Sequence, residues 1–304
     1  MPIYAGTPLD FRSDRVRVLV TGYSGFTGRY VAASLADAGY EAIDAERGGR
    51  AFDLTRPESI AAVLNEERPD HVIHLAALSF VGHGDSSGFY AVNTVGTTNL
   101  LGALLRAGVT GRVVIASSAN VYGNATVEPI TEDTPAIPVG HYAASKLAME
   151  HMVQTYADHL PIVITRPFNY SGIGQPENFL IPKLVAHFAT RAEYVDLGNV
   201  DVVRDFSDVR AIAEAYVRLL RAHVPGSVTN LCSGVGRSLR WVIDQLAAIS
   251  GHELKVRVSP GFVRVNEVHR LVGSPVIMRE ALGELPFADF RHTLRWMLED
   301  APTT

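Results

Sequence analysis

Val16-Arg17-Val18-Leu19-Val20-Thr21-Gly22-Tyr23-Ser24-Gly25-Phe26-Thr27-Gly28 decides the fold. The first five residues are β-rich and alternate as a strand does. Glycines then recur at 22, 25 and 28, and Arg29 to Ala38 read as a helix that Gly39 ends. Strand, spaced glycines and helix form the turn that seats a dinucleotide pyrophosphate on a helix N-terminus. Glycine lets the backbone turn and approach the phosphates closely. Gly22, Ser24, Gly25, Phe26, Thr27 and Gly28 are therefore the candidate cofactor cradle. A second strand over residues 41–45 runs into Glu46. A carboxylate there accepts hydrogen bonds from the adenosine ribose and favours NAD. Arg47 follows and suits a 2′-phosphate, which leaves NADP open, and Asp44 is an alternative acid.

The same alternation continues downstream. Residues 71–77, 113–116 and 162–164 read as buried parallel strands, with helices at about 57–67, 87–107 and 142–158. That order predicts an α/β fold, a Rossmann-type doubly wound parallel sheet. Beyond Pro167 the texture changes: Gly, Pro and Asn crowd residues 170–178, and helices return at about 180–190, 208–222 and 238–250. The expected organisation is a loose tail over 1–15 and a dinucleotide-binding domain over 16–168, with contributions from about 195–225. Residues 169–304 are then mainly a smaller C-terminal substrate-binding lobe.

Tyr142 and Lys146 are four apart, so on a helix they share a face. An ammonium beside a phenol lowers the phenol's pKa, which makes Tyr142 a candidate general acid/base near neutral pH. Ser118, from Ser117-Ser118 upstream, is placed to hold a substrate oxygen against it. Ser117 itself is as readily a strand-end hydroxyl satisfying local backbone.

Composition bounds the rest. With 304 residues, 47% hydrophobic, the chain can bury a full α/β core. A net charge of -5 without a basic run argues against nucleic acid and membrane surfaces. No stretch approaches the roughly 18 apolar residues of a membrane span. Cys232 is the one cysteine, so no intrachain disulfide forms and a cytoplasmic setting is expected. Residues 1–15 lack a secretory apolar core. The histidines show no metal-ligand spacing, and no metal is expected. His71 and His74 read as packed or hydrogen-bonded, and His141 as a minor substrate contact. Trp241 and Trp296 sit in amphipathic patterns as core or interface residues.

These residues resemble those of the extended short-chain dehydrogenase/reductases of the NAD-dependent epimerase/dehydratase family, over nearly the whole chain after the tail. The resemblance implies cofactor contacts at Asp53-Leu54, at Leu75, Ala76 and Ala77, at Asn93, and at Pro167 within Arg166-Pro167-Phe168-Asn169. It makes Ser118, Tyr142 and Lys146 the catalytic set, with Lys146 also on the nicotinamide ribose. Residues 197–209, 230–234 and 264–268 resemble the branch that handles GDP-mannose derivatives. That branch implies substrate contacts at Ser79, Ser118, Asn120, Asn169, Lys183, Leu197 and Asn199, with Arg204 and Arg264 near the diphosphate and Glu267 near the GDP ribose. Arg204 is alternatively an ion-pair partner of Asp205 or Asp208. Val265 stands where the family usually has proline. The family also implies a homodimer through a four-helix bundle of helices 87–107 and 142–158.

The related 4,6-dehydratases carry an acid two residues before the tyrosine of the serine strand. Here that position is Asn120, and an amide cannot serve as that base. The chain most resembles the GDP-6-deoxy-4-keto-D-mannose reductases, which implies reduction of a 4-keto sugar to GDP-D-rhamnose with NAD(P)H. A 4-epimerase built on the same three residues and a catalytically silent dinucleotide sensor are the alternatives.

Overall fold

Six parallel strands form the central sheet of the computed structural model, which describes residues 15–79, 86–259, 268–286 and 289–302. The elements run β1 (Arg17–Thr21), α1 (Phe26–Asp37), β2 (Glu41–Asp44), α2 (Pro57–Glu67), β3 (His71–His74), α3 (Ser87–Phe89), α4 (Thr97–Ala107), β4 (Val113–Ala116), α5 (His141–Gln154) and β5 (Ile162–Pro167). They continue with β6 (Asn169–Ser171), α6 (Leu180–Ala189), β7 (Tyr194–Leu197), β8 (Val203–Asp208), α7 (Val209–Leu219), β9 (Val228–Leu231), β10 (Gly236–Ser238), α8 (Leu239–Ser250), β11 (Lys255–Val258), β12 (Arg270–Leu271), α9 (Val276–Leu282) and α10 (Phe290–Asp300). The tail expected over 1–15, apart from Arg15, and the candidates Arg264 and Glu267 lie outside the described residues.

The strand order is β2-β1-β3-β4-β5-β9, so the winding reverses between β1 and β3. Ligands of doubly wound sheets bind at that switch point, beyond the carboxyl ends of the strands. Side-chain alternation explains why both faces are covered. Val18, Val20, Ile73, Val114 and Val163 join one core with residues of α1, α7 and α9. Leu19, Val72, Val113, Ile115, Ile162 and Ile164 join the other with residues of α2, α4 and α5.

The structure corrects two boundaries. The sixth strand is β9, at Val228–Leu231, beyond the 195–225 range expected to contribute to the sheet, while helix α7 lies within that range. The predicted helix 87–107 is not uniformly α: Tyr90–Gly96 winds as a π-helix between α3 and α4. π-turns of this kind occur often at functional sites. Beyond β5, β8 pairs with β6, β10 and β12, and β11 pairs with β7. Helices α6, α8 and α10 share a core there with Phe206 and Leu197, and Trp241 and Trp296 are packed against it.

Candidate active site

The glycine turn emerges from β1 against the exit of β3. Gly22 has φ +71°, and a Cβ on it would lie 2.9 Å from the Ala76 nitrogen. Gly28 is buried at the start of α1, where a Cβ would overlap the carbonyl oxygens of Gly22 and Tyr23. Gly22, Ser24 and Gly25 keep an exposed outer face. A dinucleotide pyrophosphate fits such a cradle, because side chains are excluded inside it and its outer face is open at a helix N-terminus. The structure turns Phe26 and Thr27 another way. The Thr27 hydroxyl lies 2.8 Å from the Tyr170 hydroxyl, and Phe26 stacks on the Tyr170 ring at 6.1 Å. The Tyr30 hydroxyl and Arg29 donate to the carbonyls of Ile173 and Gly174. The turn is thereby tied to the segment after β6. Overpacking of a fitted backbone costs about 1–3 kcal/mol. Gly28→Ala is therefore expected to weaken NAD(P)H binding by about tenfold in a fluorescence titration. Unchanged affinity would remove the turn from the cofactor site.

At the end of β2, Glu46 and Arg47 are exposed, whereas the Asp44 carboxylate accepts the Glu46 amide at 2.9 Å. Asp53 accepts from the Thr55 amide and hydroxyl, which hold its carboxyl below the usual range. Leu54 is buried against Gly96 of the π-turn, where a Cβ would stand 2.8 Å from the Leu54 Cβ. Leu75, Ala76 and Ala77 are half-buried where β3 leaves the sheet. Asn93, expected on the cofactor, is fully buried with its amide engaged by protein. It accepts from Leu78 N–H and donates to the Leu78 carbonyl and the Ser145 hydroxyl. Its role is to fasten the β3 exit to α5.

Ser118, Tyr142 and Lys146 come together at the carboxyl end of β4. Ser118 caps the short turn Ala119–Tyr122, accepting the Asn120 amide at 3.2 Å. Tyr142 packs edge-on against Phe89, with Ser118 among the groups acting on its hydroxyl. Lys146 is buried one turn further along α5 and donates to the Ala116 carbonyl at 2.8 Å. The expected depression of the Tyr142 pKa is overturned. Burial pushes the phenol up to about 12, opposed by the Ser118 hydrogen bond, and Lys146 is not among the groups acting on it. Burial also lowers the Lys146 ammonium to about 8, with Glu150 opposing. The Tyr142 phenol is thus held protonated, while burial makes the Lys146 charge easier to lose. Its neighbour His141 is exposed and bonded to the Tyr90 hydroxyl at 3.1 Å.

A buried network missed by the sequence reading lies directly behind. Ser117 donates to Glu150, not to local backbone. Arg166 binds the same carboxylate, the Tyr122 hydroxyl at 3.0 Å and the Glu132 carbonyl at 3.1 Å. Tyr122 donates to Asn230 at 2.7 Å. Spacing held a signal for it, since Tyr142, Lys146 and Glu150 recur every four residues on α5.

The expected substrate residues are spread more widely. Ser79 is exposed just beyond the Asn93 clamp, Asn120 is exposed beside Ser118, and Asn169 is exposed at the start of β6. Pro167 is buried at the end of β5, opposite Leu231. Lys183 on α6 donates to the Asp196 carbonyl at 2.7 Å, next to buried Leu197, and Asn199 caps its own turn at Asp201. Arg204 donates to the carbonyls of Val203, Val268 and His269, while Asp208 pairs with Arg210 and Asp205 accepts from Ser233 and Gly234. No group of three or more potential metal ligands occurs among the described residues.

Residues 18–232 match the family described as NAD dependent epimerase/dehydratase. The chain belongs to that family. GDP-6-deoxy-D-talose 4-dehydrogenase of Aggregatibacter actinomycetemcomitans is 35% identical over 287 residues, covering 94% of this chain and 96% of the relative. GDP-6-deoxy-D-mannose reductase of Pseudomonas aeruginosa is 35% identical over 295 residues, covering 93% and 96%. The solved structure of RMD from Pseudomonas aeruginosa with NADPH superposes with a TM-score of 0.84 at 34% identity, covering 94% and 97%. The open glycine cradle suits the nicotinamide dinucleotide, NAD or NADP, of this family.

Proposed function

We propose that the protein is an NAD(P)H-dependent oxidoreductase that reduces the 4-keto group of GDP-4-keto-6-deoxy-D-mannose to give GDP-D-rhamnose. One observation carries the reading. Ser118, Tyr142 and Lys146 gather at the carboxyl end of β4, on the sheet edge from which the glycine turn also emerges, while the neighbouring Asn120 supplies an amide where elimination chemistry needs an acid. The bound cofactor would supply the hydride. Ser118 and Tyr142 hold the ketone oxygen, and Tyr142 donates the proton that the new alkoxide takes up. Lys146, the buried cation one turn further along α5, serves the ribose side. The two GDP-6-deoxyhexose relatives support the substrate class, and their named sugars differ in configuration at C4. Helices α4 and α5 and the π-turn leave Val95, Leu105 and Met152 exposed, which supports a homodimer through these helices in a cytoplasmic enzyme. No described helix is long and apolar enough to cross a membrane.

The test is incubation with NADH or NADPH and enzymatically prepared GDP-4-keto-6-deoxymannose, following loss of reduced-nicotinamide absorbance and identifying the sugar by NMR. Cofactor oxidation with a D-rhamnose configuration is expected. A 6-deoxytalose product would reassign the face of the ketone. No oxidation, with UDP- or GDP-sugars converted without net cofactor use, would replace the reductase by a 4-epimerase.

A further inference from the structure

We propose that His74 is a positioning residue, fixed as the neutral Nε2–H tautomer, that couples the cofactor turn to the catalytic helix through a one-directional chain of hydrogen bonds. The chain is legible because each hydroxyl has only one proton to give. Thr97 Oγ1 donates to the Asn93 carbonyl at 2.7 Å. It must therefore accept from the ring nitrogen 2.9 Å away, His74 Nε2, which carries the hydrogen. In a neutral ring Nδ1 is then bare and accepts from Thr21 Oγ1 at 2.6 Å. Thr21 Oγ1 in turn accepts the Ala76 amide at 3.2 Å.

The two ends of the chain reach different parts of the site. Thr21 is the last residue of β1, directly before Gly22, and its contact with Ala76 fixes the gap in which Gly22 has no room for a Cβ. Thr97 holds the π-turn through the Asn93 carbonyl. The Asn93 amide holds Ser145, the residue before Lys146, and Thr94 adds a bond to the Ser145 carbonyl at 3.0 Å. Thr21, His74, Asn93, Thr97 and Ser145 are each at most 2% exposed, so water offers no alternative partners. Protonation of Nδ1 would strand the Thr21 hydroxyl hydrogen. Burial disfavours it further, as does Lys146, the charged group acting on the ring, and together they hold the imidazole down at about 3. An apolar side chain would fill the same space but leave the Thr21 hydroxyl hydrogen without its acceptor and Thr97 Oγ1 without its donor.

The inference rests on the glycine turn holding the cofactor and on Lys146 serving catalysis. The tautomer is measured without turnover, so its failure is separable from failure of that reading. The first measurement is a long-range 1H–15N spectrum of the full chain labelled at histidine, with the His74 signal assigned by its absence from His74→Asn. A single Nε2–H pattern, unchanged between pH 8 and 5, is expected. An Nδ1–H or doubly protonated ring overturns the proposal.

The second measurement separates the two ends. His74→Gln places its amide near the Nε2 position and keeps a donor for Thr97, whereas His74→Asn places its carbonyl near Nδ1 and keeps an acceptor for Thr21. Loss of one neutral hydrogen bond corresponds to about threefold to tenfold in an equilibrium constant. His74→Gln is expected to raise the NAD(P)H Kd by that factor with kcat retained, and His74→Asn to lower kcat with Kd retained. Equal effects of both variants on both parameters would reduce His74 to packing. If either variant fails to fold, Thr97→Val assigns the ring signal by its shift in an otherwise intact chain, and the wild-type tautomer decides.

Discussion

Tyr142→Phe is expected to lower kcat by about 10²–10⁴-fold, the range carried by a positioned general acid, while NAD(P)H affinity stays at the wild-type value. The substitution removes one oxygen and leaves the ring against Phe89. Ser118 and Lys146 keep their backbone contacts at Asn120 and Ala116, so the scaffold persists. Kinetics with the keto-sugar and a cofactor titration on the same preparation give the split. Near-normal turnover would sink the assignment of Tyr142 as proton donor.

The protonation states give this expectation a pH profile. Burial holds the Tyr142 phenol up at about 12, so it stays protonated through the working range. Lys146 is the group that titrates, because burial brings its ammonium down to about 8. Above that pH the free enzyme loses the buried positive charge one turn from Tyr142 on α5. The kcat/KM profile, which reports the free enzyme, should therefore fall on the alkaline side from about pH 8. A flat profile to pH 10 would show that the Lys146 charge contributes nothing to turnover.

How much of this was legible in the chain depends on the range of the forces involved. The cofactor turn and the first five strands of the central sheet were legible because their signals are local: alternation, spaced glycines and the strand lengths of a sheet buried on both faces. The sixth strand, β9, was not, since only two of Val228-Thr229-Asn230-Leu231 are apolar and its place beside β5 is a tertiary fact. That Tyr142 and Lys146 lie one turn apart on the same helix, α5, was legible from spacing. The direction of the Tyr142 pKa was not, because it is set by burial and by where Lys146 points, and neither is encoded in the interval of four. Asn93 read as a cofactor contact by its position, but its amide is consumed by Leu78 and Ser145, partners 15 and 52 residues away.

The other large effect is expected at Arg166. Glu150 is 5% exposed and Arg166 8%, and they meet at 2.6 Å. Removing one partner of such a pair strands the other charge in the interior, at a cost of about 3–5 kcal/mol. Arg166→Met is therefore expected to destabilise the protein by that amount in urea unfolding. Glu150→Leu combined with Arg166→Met should cost less than the sum of the single changes, since matched apolar replacement removes both charges together. Additive costs would mean that the two residues act separately. The pair also reaches the site, because Glu150 is the group that raises the Lys146 pKa against burial. Neutralising it in Glu150→Gln withdraws that support, so the ammonium deprotonates sooner and the alkaline limb of kcat/KM moves to lower pH. A limb that stayed in place would confine Glu150 to holding Ser117 and Arg166. A limb displaced to lower pH would make the ion pair behind the site part of what keeps Lys146 charged.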